Sequence, residues 1–184
     1  MKDAAVILTK NRILEEMKVL LQQVEARQLH FSRQNNNAVF AVAPKISRGE
    51  NYLGLPYLVL DYPRLSSSSD LFFIRTMFWW GKFFSSTLHL SGAHADRYRG
   101  RIGSAWKRLA DHSVGINDDP WVHHFESSNY RKVSEWSEHS FADWCADAVH
   151  LKIARAVPLD EWPVAEESLF RHWEELLDVC GLVA

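Results

Sequence analysis

The chain has 184 residues and a formal net charge of −2, and it is 47% hydrophobic and 24% charged. This balance is typical of a folded globular protein, and the lack of a basic excess argues against a nucleic-acid partner. No apolar run reaches the ~18 residues of a membrane span and no signal peptide is visible, so we expect a soluble, cytoplasmic protein without a membrane partner.

The first predicted element is a helix over residues 3–30. Apolar residues recur there at alternating spacings of four and three, which is the pattern of a helix with one buried face. We expect this helix to cover one side of a sheet. The residues of its buried face are Ile13, Leu14, Met17, Leu20, Leu21 and Val24.

Residues 38–91 are rich in strand signals and predict an antiparallel sheet of about four strands, arranged as two hairpins. The segment 38–43 is interpreted as a first strand that Pro44 stops, and the polar segment 45–51 as a loop. A second strand over 55–62 ends at Pro63, and the serines at 66–69 form a surface loop.

The stretch 70–91 predicts the central hairpin of the fold. Gly81 and Lys82 stand where a two-residue turn would place Trp80 opposite Phe83 and Ile74 opposite His89. Both sides of this ribbon are largely apolar, so we expect other parts of the protein to cover both of its faces.

Residues 94–180 are predicted to be helical. Because the strands come first and the helices second, the pattern indicates a single α+β domain over residues 1–184, not a repeated βαβ unit. Cys145 and Cys180 have no metal or redox spacing, and we expect them to be buried, reduced thiols. The predicted helices span 95–112, a short segment from Trp121, 131–157 and 160–179.

Polar residues in the strand half form the first candidate site. Arg75 interrupts an apolar strand face, so its guanidinium lies at a rim or pairs with a carboxylate, with Asp61 favoured and Glu50 the second choice. An arginine, an acid and a histidine at one sheet end could bind a small anion or place a base beside a charge clamp. A structural salt bridge with a buried histidine is the alternative interpretation. The candidate residues are Arg48, Glu50, Asp61, Arg64, Arg75 and His89.

A second group of polar residues falls on one face of the predicted helix 131–157. It matches no named zinc signature, and one straight helix rarely supplies more than two ligands to an ion, so we predict a solvated face without a metal or cofactor. A second helix with His123, His124 or Glu126 would have to complete any metal site. The stripe consists of His139, Asp143, Asp147 and His150.

No nucleotide-binding, nucleophile-elbow or metalloprotease signature is present. The leading hypothesis is therefore a ligand-binding or protein-interaction domain without catalytic activity. The alternative is an enzyme that acts on a small anionic substrate near Arg75, Asp61 and His89, and a third option is a metal protein using His139 and Asp143. The abundance of apolar strand residues, with eight tryptophans in the chain, predicts self-association as a homodimer. The residues of this sequence do not identify a particular ligand.

Overall fold

A computed structural model describes residues 4–183 of the chain. Within these residues it has four α-helices and one seven-stranded antiparallel sheet, which confirms the α+β class but shows that about four strands was too few. The helices are α1 Ala4–Gln34, α2 Gly92–Ser104, α3 Glu138–Asp147 and α4 Ala165–Val179. The strands are β1 Lys45–Tyr52, β2 Leu55–Ser67, β3 Asp70–Trp79, β4 Phe83–Ser91, β5 Ser113–Gly115, β6 Tyr130–Lys132 and β7 His150–Pro158.

The strand order in the sheet is β1-β2-β3-β4-β7-β5-β6. The first four strands follow one another as an antiparallel meander. The last strand in the sequence, β7, then pairs with β4 on one side and β5 on the other. The carboxy-terminal half therefore completes the sheet as well as covering it.

Helices cover one side of the sheet, which we call the helix face; in β3 it is the side of Phe72, Ile74, Thr76 and Phe78. Helices α1 and α4 pack there over β2, β3 and β4. Five of the six apolar residues predicted to face the sheet from α1 are buried, and Ile13 is half-buried. Trp173 of α4 is fully buried, and its indole Nε1 donates to the carbonyl of Tyr62 at 2.6 Å.

The opposite side, the loop face, carries Phe73, Arg75, Met77 and Trp79 of β3. The hydrophobic cluster described there consists of strand residues alone, centred on Val59, Met77 and Trp79. The rest of this face lies under residues 116–129, which contain no helix or strand and which we call the covering loop. The short helix predicted to begin at Trp121 is therefore wrong.

The predictions for the two segments before β2 are wrong because helix capping and strand pairing outweigh the local pattern of apolar and polar residues. The segment 38–43 begins with a 3₁₀ helix, Ala38–Phe40, because the Asn37 side chain accepts a hydrogen bond from the backbone of Val39. The predicted loop 45–51 is most of β1, an edge strand whose polar side chains are compatible with solvent exposure.

The predicted long helix over 131–157 is also wrong. The chain there forms the end of β6, a 3₁₀ turn at Val133–Glu135, helix α3 and strand β7. In β7 the side chains alternate, with Leu151 and Ile153 on the helix face and Lys152 and Ala154 on the loop face. Such alternation with β-branched residues suits a strand between two neighbours.

The central hairpin is present, but its register differs by one residue from the prediction. The connection has three residues, with Gly81 at φ +65°, and Trp79 lies opposite Phe83. Because side chains alternate along a strand, this shift moves His89 from the side of Ile74 to the side of Arg75. Trp79 is buried and Trp80 half-buried, so both faces are covered as predicted.

Cys145 and Cys180 are buried free thiols, as predicted. Burial raises the pKa of each thiol to about 12. Among residues 4–183, no helix is both long and apolar enough to cross a membrane.

Candidate functional site

Polar side chains from four neighbouring strands meet on the loop face. Asp61 of β2 is paired in register with Arg75 of β3, and His89 of β4 is paired with Lys152 of β7. His123 reaches the same region from the covering loop. We call Asp61, Arg75, His89, His123 and Lys152 the polar cluster.

Arg75 and Asp61 form a two-point ion pair, as predicted. Nε and Nη2 of Arg75 each donate to a different oxygen of Asp61 at 2.8 Å, and both side chains are 17% exposed. Nη1 of Arg75 lies 3.2 Å from Nε2 of His123. Since a guanidinium can only donate, the imidazole of His123 is the acceptor and is neutral. Burial, with the charges of Lys152 and Arg75, lowers the pKa of His123 to about 2.

His89 is 1% exposed, and both of its ring nitrogens lack a hydrogen-bond partner among the described residues. Its ring lies edge-on to Phe73 at 4.8 Å and to Trp121 at 5.5 Å between centroids. Burial first, and then neighbouring positive charge, lowers the pKa of His89 to about 3. A buried polar atom without a partner costs about 1–3 kcal/mol, so this imidazole weakens the fold as it stands.

Lys152 is also 1% exposed, and no carboxylate of the described residues lies within salt-bridge distance of its ammonium. Its Nζ donates to the backbone carbonyl of Val122 and lies 5.1 Å from the ring centroid of Tyr130. Burial and the charge of Arg75 lower the pKa of Lys152 to about 8, with Asp119 acting in the opposite direction.

Gly115 of β5 leaves room for the stem of Lys152. A Cβ at Gly115 would lie 3.0 Å from Cβ and 3.1 Å from Cδ of Lys152, which is tighter than ordinary contact. The lysine side chain therefore crosses the sheet surface where the neighbouring strand has no side chain, and its nitrogen reaches the covering loop.

A few contacts hold the covering loop on the sheet. The Tyr52 hydroxyl accepts hydrogen bonds from the backbone N–H groups of His123 at 2.6 Å and His124 at 3.2 Å. Nδ2 of Asn129 donates to the carbonyls of Val122 and His124. Trp121, although 49% exposed, stacks on Phe73 at 5.8 Å between centroids.

Three of the six predicted site residues, Asp61, Arg75 and His89, belong to the polar cluster. The other three have polar partners elsewhere. Arg48 pairs with Glu50 at 2.6 Å, and Glu50 also pairs with Lys10 of α1 at 3.1 Å. Arg64 donates to the carbonyl of Ala43 at 2.7 Å. These three therefore contribute to the junctions around β1 and β2, not to the cluster.

The predicted polar stripe does not exist as one helix face. His139 and Asp143 form an exposed pair on α3 at 3.2 Å, whereas His150 lies in β7 with its ring 5.8 Å from that of His89. Of the two adjacent histidines, His123 is buried and His124 is half-buried. The described residues contain no group of three or more His, Cys, Asp or Glu residues placed to hold a metal ion.

Sequence reasoning missed Lys152 altogether and considered His123 only as a metal ligand. The signal for Lys152 was the alternation of polar and apolar residues over 150–153, which a helical interpretation hides. Tyr52 was missed because its segment was assigned to a loop that ended at residue 51.

No family model matches the chain, and no curated protein matches it. Among solved structures, the chain is similar to a conserved hypothetical protein from Pyrococcus furiosus with 9% sequence identity and a TM-score of 0.40. That likeness covers 92% of this chain and 99% of the other. A likeness this weak says nothing about the function of this chain.

The cluster has an unbalanced charge. Arg75 and Lys152 are cations, Asp61 is the carboxylate that pairs with Arg75, and the lowered pKa values keep both imidazoles neutral. Hydrogen-bond capacity is also unbalanced, because the ring nitrogens of His89 are unpaired. The described members of the cluster therefore carry two positive charges and one negative charge.

Proposed function

We propose that this protein binds a small organic anion on the loop face, between Arg75 and Lys152 and beneath the covering loop. The observation that carries the proposal is the buried ammonium of Lys152, which has a backbone carbonyl as its partner and, among residues 4–183, no carboxylate within salt-bridge distance. Taking an ammonium out of water costs several kcal/mol unless an opposite charge compensates it. The carboxylate or phosphate of a ligand would supply that charge.

The surroundings of Lys152 support an organic ligand over a simple inorganic ion. His89 offers an N–H donor with no protein partner, and the stacked rings of Phe73 and Trp121 provide an apolar wall beside it. Arg75 makes three polar contacts with Asp61 and His123, and a guanidinium has more N–H groups than these contacts use. A ligand can thus be bound without breaking the pair with Asp61.

The experiment is a titration with small anions, followed by calorimetry and by thermal unfolding. We expect acetate, lactate or phosphate to raise the melting temperature, since a ligand that binds only the folded state stabilises it. The Lys152→Met variant should lose this response, and Lys132→Met, which removes an exposed lysine from nearby β6, should keep it.

The unliganded variants provide a second readout. Lys152→Met removes a buried charge and keeps most of the volume, so without ligand it should be as stable as the parent protein or more stable by about 1–3 kcal/mol. The proposal is overturned if none of the anions stabilises the protein at millimolar concentration, or if Lys152→Met responds to them as the parent protein does.

A further inference from the structure

We propose that Lys152 forms an imine with the carbonyl group of its ligand, and that the ligand is a short oxo acid whose carboxylate is bound by Arg75. This inference rests on the proposed function, because the same site must first bind an anion. It adds a covalent step and a chemical class of ligand, and the experiment distinguishes failure of the imine step from failure of anion binding.

The first support is the environment of the Lys152 nitrogen. Its hydrogen-bond partner is the carbonyl of Val122, an acceptor that leaves the lone pair of an unprotonated amine free to react. An amine held in an apolar setting beside another cation is the usual form of an imine-forming lysine. With a pKa of about 8, roughly a tenth of the amine is unprotonated at pH 7.

The second support is the position of His89. The register of β4 and β7 places His89 directly opposite Lys152, and directly paired side chains on one sheet face have Cβ atoms about 4.5–5.5 Å apart. The lowered pKa keeps this imidazole neutral, and its ring nitrogens lack protein partners. A neutral imidazole can donate its N–H to the ligand's carbonyl oxygen and polarise that carbonyl toward attack.

The third support is the position of Arg75 relative to Lys152. Their strands are separated only by β4, and Arg75 is in register with Ala154, two residues from Lys152, so the two Cα atoms are about 12 Å apart. Both long side chains rise from the loop face. A short molecule can therefore place its carboxylate on the unused N–H groups of Arg75 and its carbonyl carbon near Nζ.

The reaction consumes no oxidant or reductant. The lone pair of the unprotonated Nζ attacks the carbonyl carbon, and the carbonyl π electrons move to oxygen. Loss of a proton from nitrogen and gain of one by oxygen, both exchanged with water, give a carbinolamine. Its hydroxyl then takes up a proton and leaves as water while the nitrogen lone pair forms the C=N bond. Loss of the remaining N–H proton gives the neutral imine.

The test uses pyruvate and lactate, which share a carboxylate but differ in the carbonyl, together with cyanoborohydride to reduce any imine. We expect pyruvate to produce one reduced adduct, mapped to Lys152 by peptide mass spectrometry, and lactate to bind without an adduct. Lys152→Arg retains the cation, so it should still bind lactate but form no adduct. His89→Phe should slow adduct formation from pyruvate several-fold.

The outcomes distinguish the two proposals. If pyruvate and lactate both bind but no adduct appears at Lys152, the imine inference is wrong and the anion site stands. Adducts on exposed lysines such as Lys132, without an excess at Lys152, also overturn the inference. If neither compound binds, both proposals are wrong. An unchanged rate in His89→Phe removes the part assigned to that histidine.

Discussion

Substituting Asp61 by alanine should test whether the ion pair with Arg75 supports the fold. The change leaves the Arg75 guanidinium with His123 as its polar partner, and a guanidinium cannot escape burial by losing its proton. Removing one partner of a fully buried pair costs about 3–5 kcal/mol. Because both side chains are 17% exposed, water can solvate part of the abandoned charge, and we expect a loss of about 2–3 kcal/mol.

The assay is urea unfolding of four proteins: the parent, Asp61→Ala, Arg75→Met and the double variant. The double variant should recover part of the loss, because it removes the stranded charge along with its partner. Glu50→Ala, which breaks the exposed pair with Arg48, is the matched control and should leave stability unchanged within error. A loss below about 1 kcal/mol in Asp61→Ala, with no coupling to Arg75→Met, would refute the argument.

Asp61→Ala should also change ligand binding in a direction that stability cannot explain. The substitution frees N–H groups of Arg75 and makes the polar cluster more positive, so the affinity for small anions should rise. If Asp61 instead positions Arg75 for the ligand, affinity should fall while the protein stays folded. Calorimetry on folded protein separates these two roles.

Three further predictions concern acid, packing and association. The free energy of unfolding should fall below about pH 6.5, by about 1.4 kcal/mol per pH unit for each histidine whose folded pKa lies below the unfolded value, because only the unfolded chain then takes up the proton. Denaturant melts at pH 7 and pH 5 measure this loss, and equal stability at the two pH values would contradict the prediction. Gly115→Ala should cost about 1–3 kcal/mol, and the cost should be smaller in a Lys152→Ala background, which removes the Cγ and Cδ contacts and keeps only the Cβ contact. An undiminished cost there would place the strain elsewhere. If the protein is a homodimer, the amino-terminal turns of α1 are the candidate interface, because Val6 and Leu8 are 65% and 70% exposed there. Light scattering should show a dimer that Leu8→Glu dissociates, and a parent protein that is monomeric at all concentrations would contradict the prediction. The histidines on which the acid prediction rests are His89, His112, His123 and His172, whose pKa values burial lowers to about 3, 4, 2 and 3.

The elements that the sequence predicted well are those whose own residues show the burial pattern. Helix α1 has a single buried stripe, so its periodicity marks both the element and its core face. Strand β3 was recognised because apolar residues fill both of its faces. The Arg75 partner was predictable as well, since a charge inside such a strand requires an acid nearby and Asp61 lies on the preceding strand.

The elements that the sequence did not reveal depend on distant pairing. Strand β1 is polar and becomes a strand only because β2 offers it an edge. Strand β7 inserts between β4 and β5, and nothing within His150–Pro158 specifies those neighbours. Two of the five members of the polar cluster were missed for this reason, since Lys152 joins it through β7 and His123 through the covering loop. His89 was predicted near Arg75, but in a register one residue away from the one observed.

The side chains on the two faces of the sheet affect stability in different ways. The helix face holds the large apolar clusters that α1, α2, α3 and α4 build with the strands, and burial of that surface stabilises the fold. Among the described residues, the loop face holds an ammonium whose charge has no carboxylate partner and an imidazole without a hydrogen-bond partner, each of which costs free energy in the unliganded protein. Because the same sheet carries both faces, packing on the helix face can hold Arg75, His89 and Lys152 in register for the anion that we propose binds there. Substitutions on the helix face should therefore reduce stability first, whereas apolar replacements of Lys152 should reduce binding while leaving the fold intact.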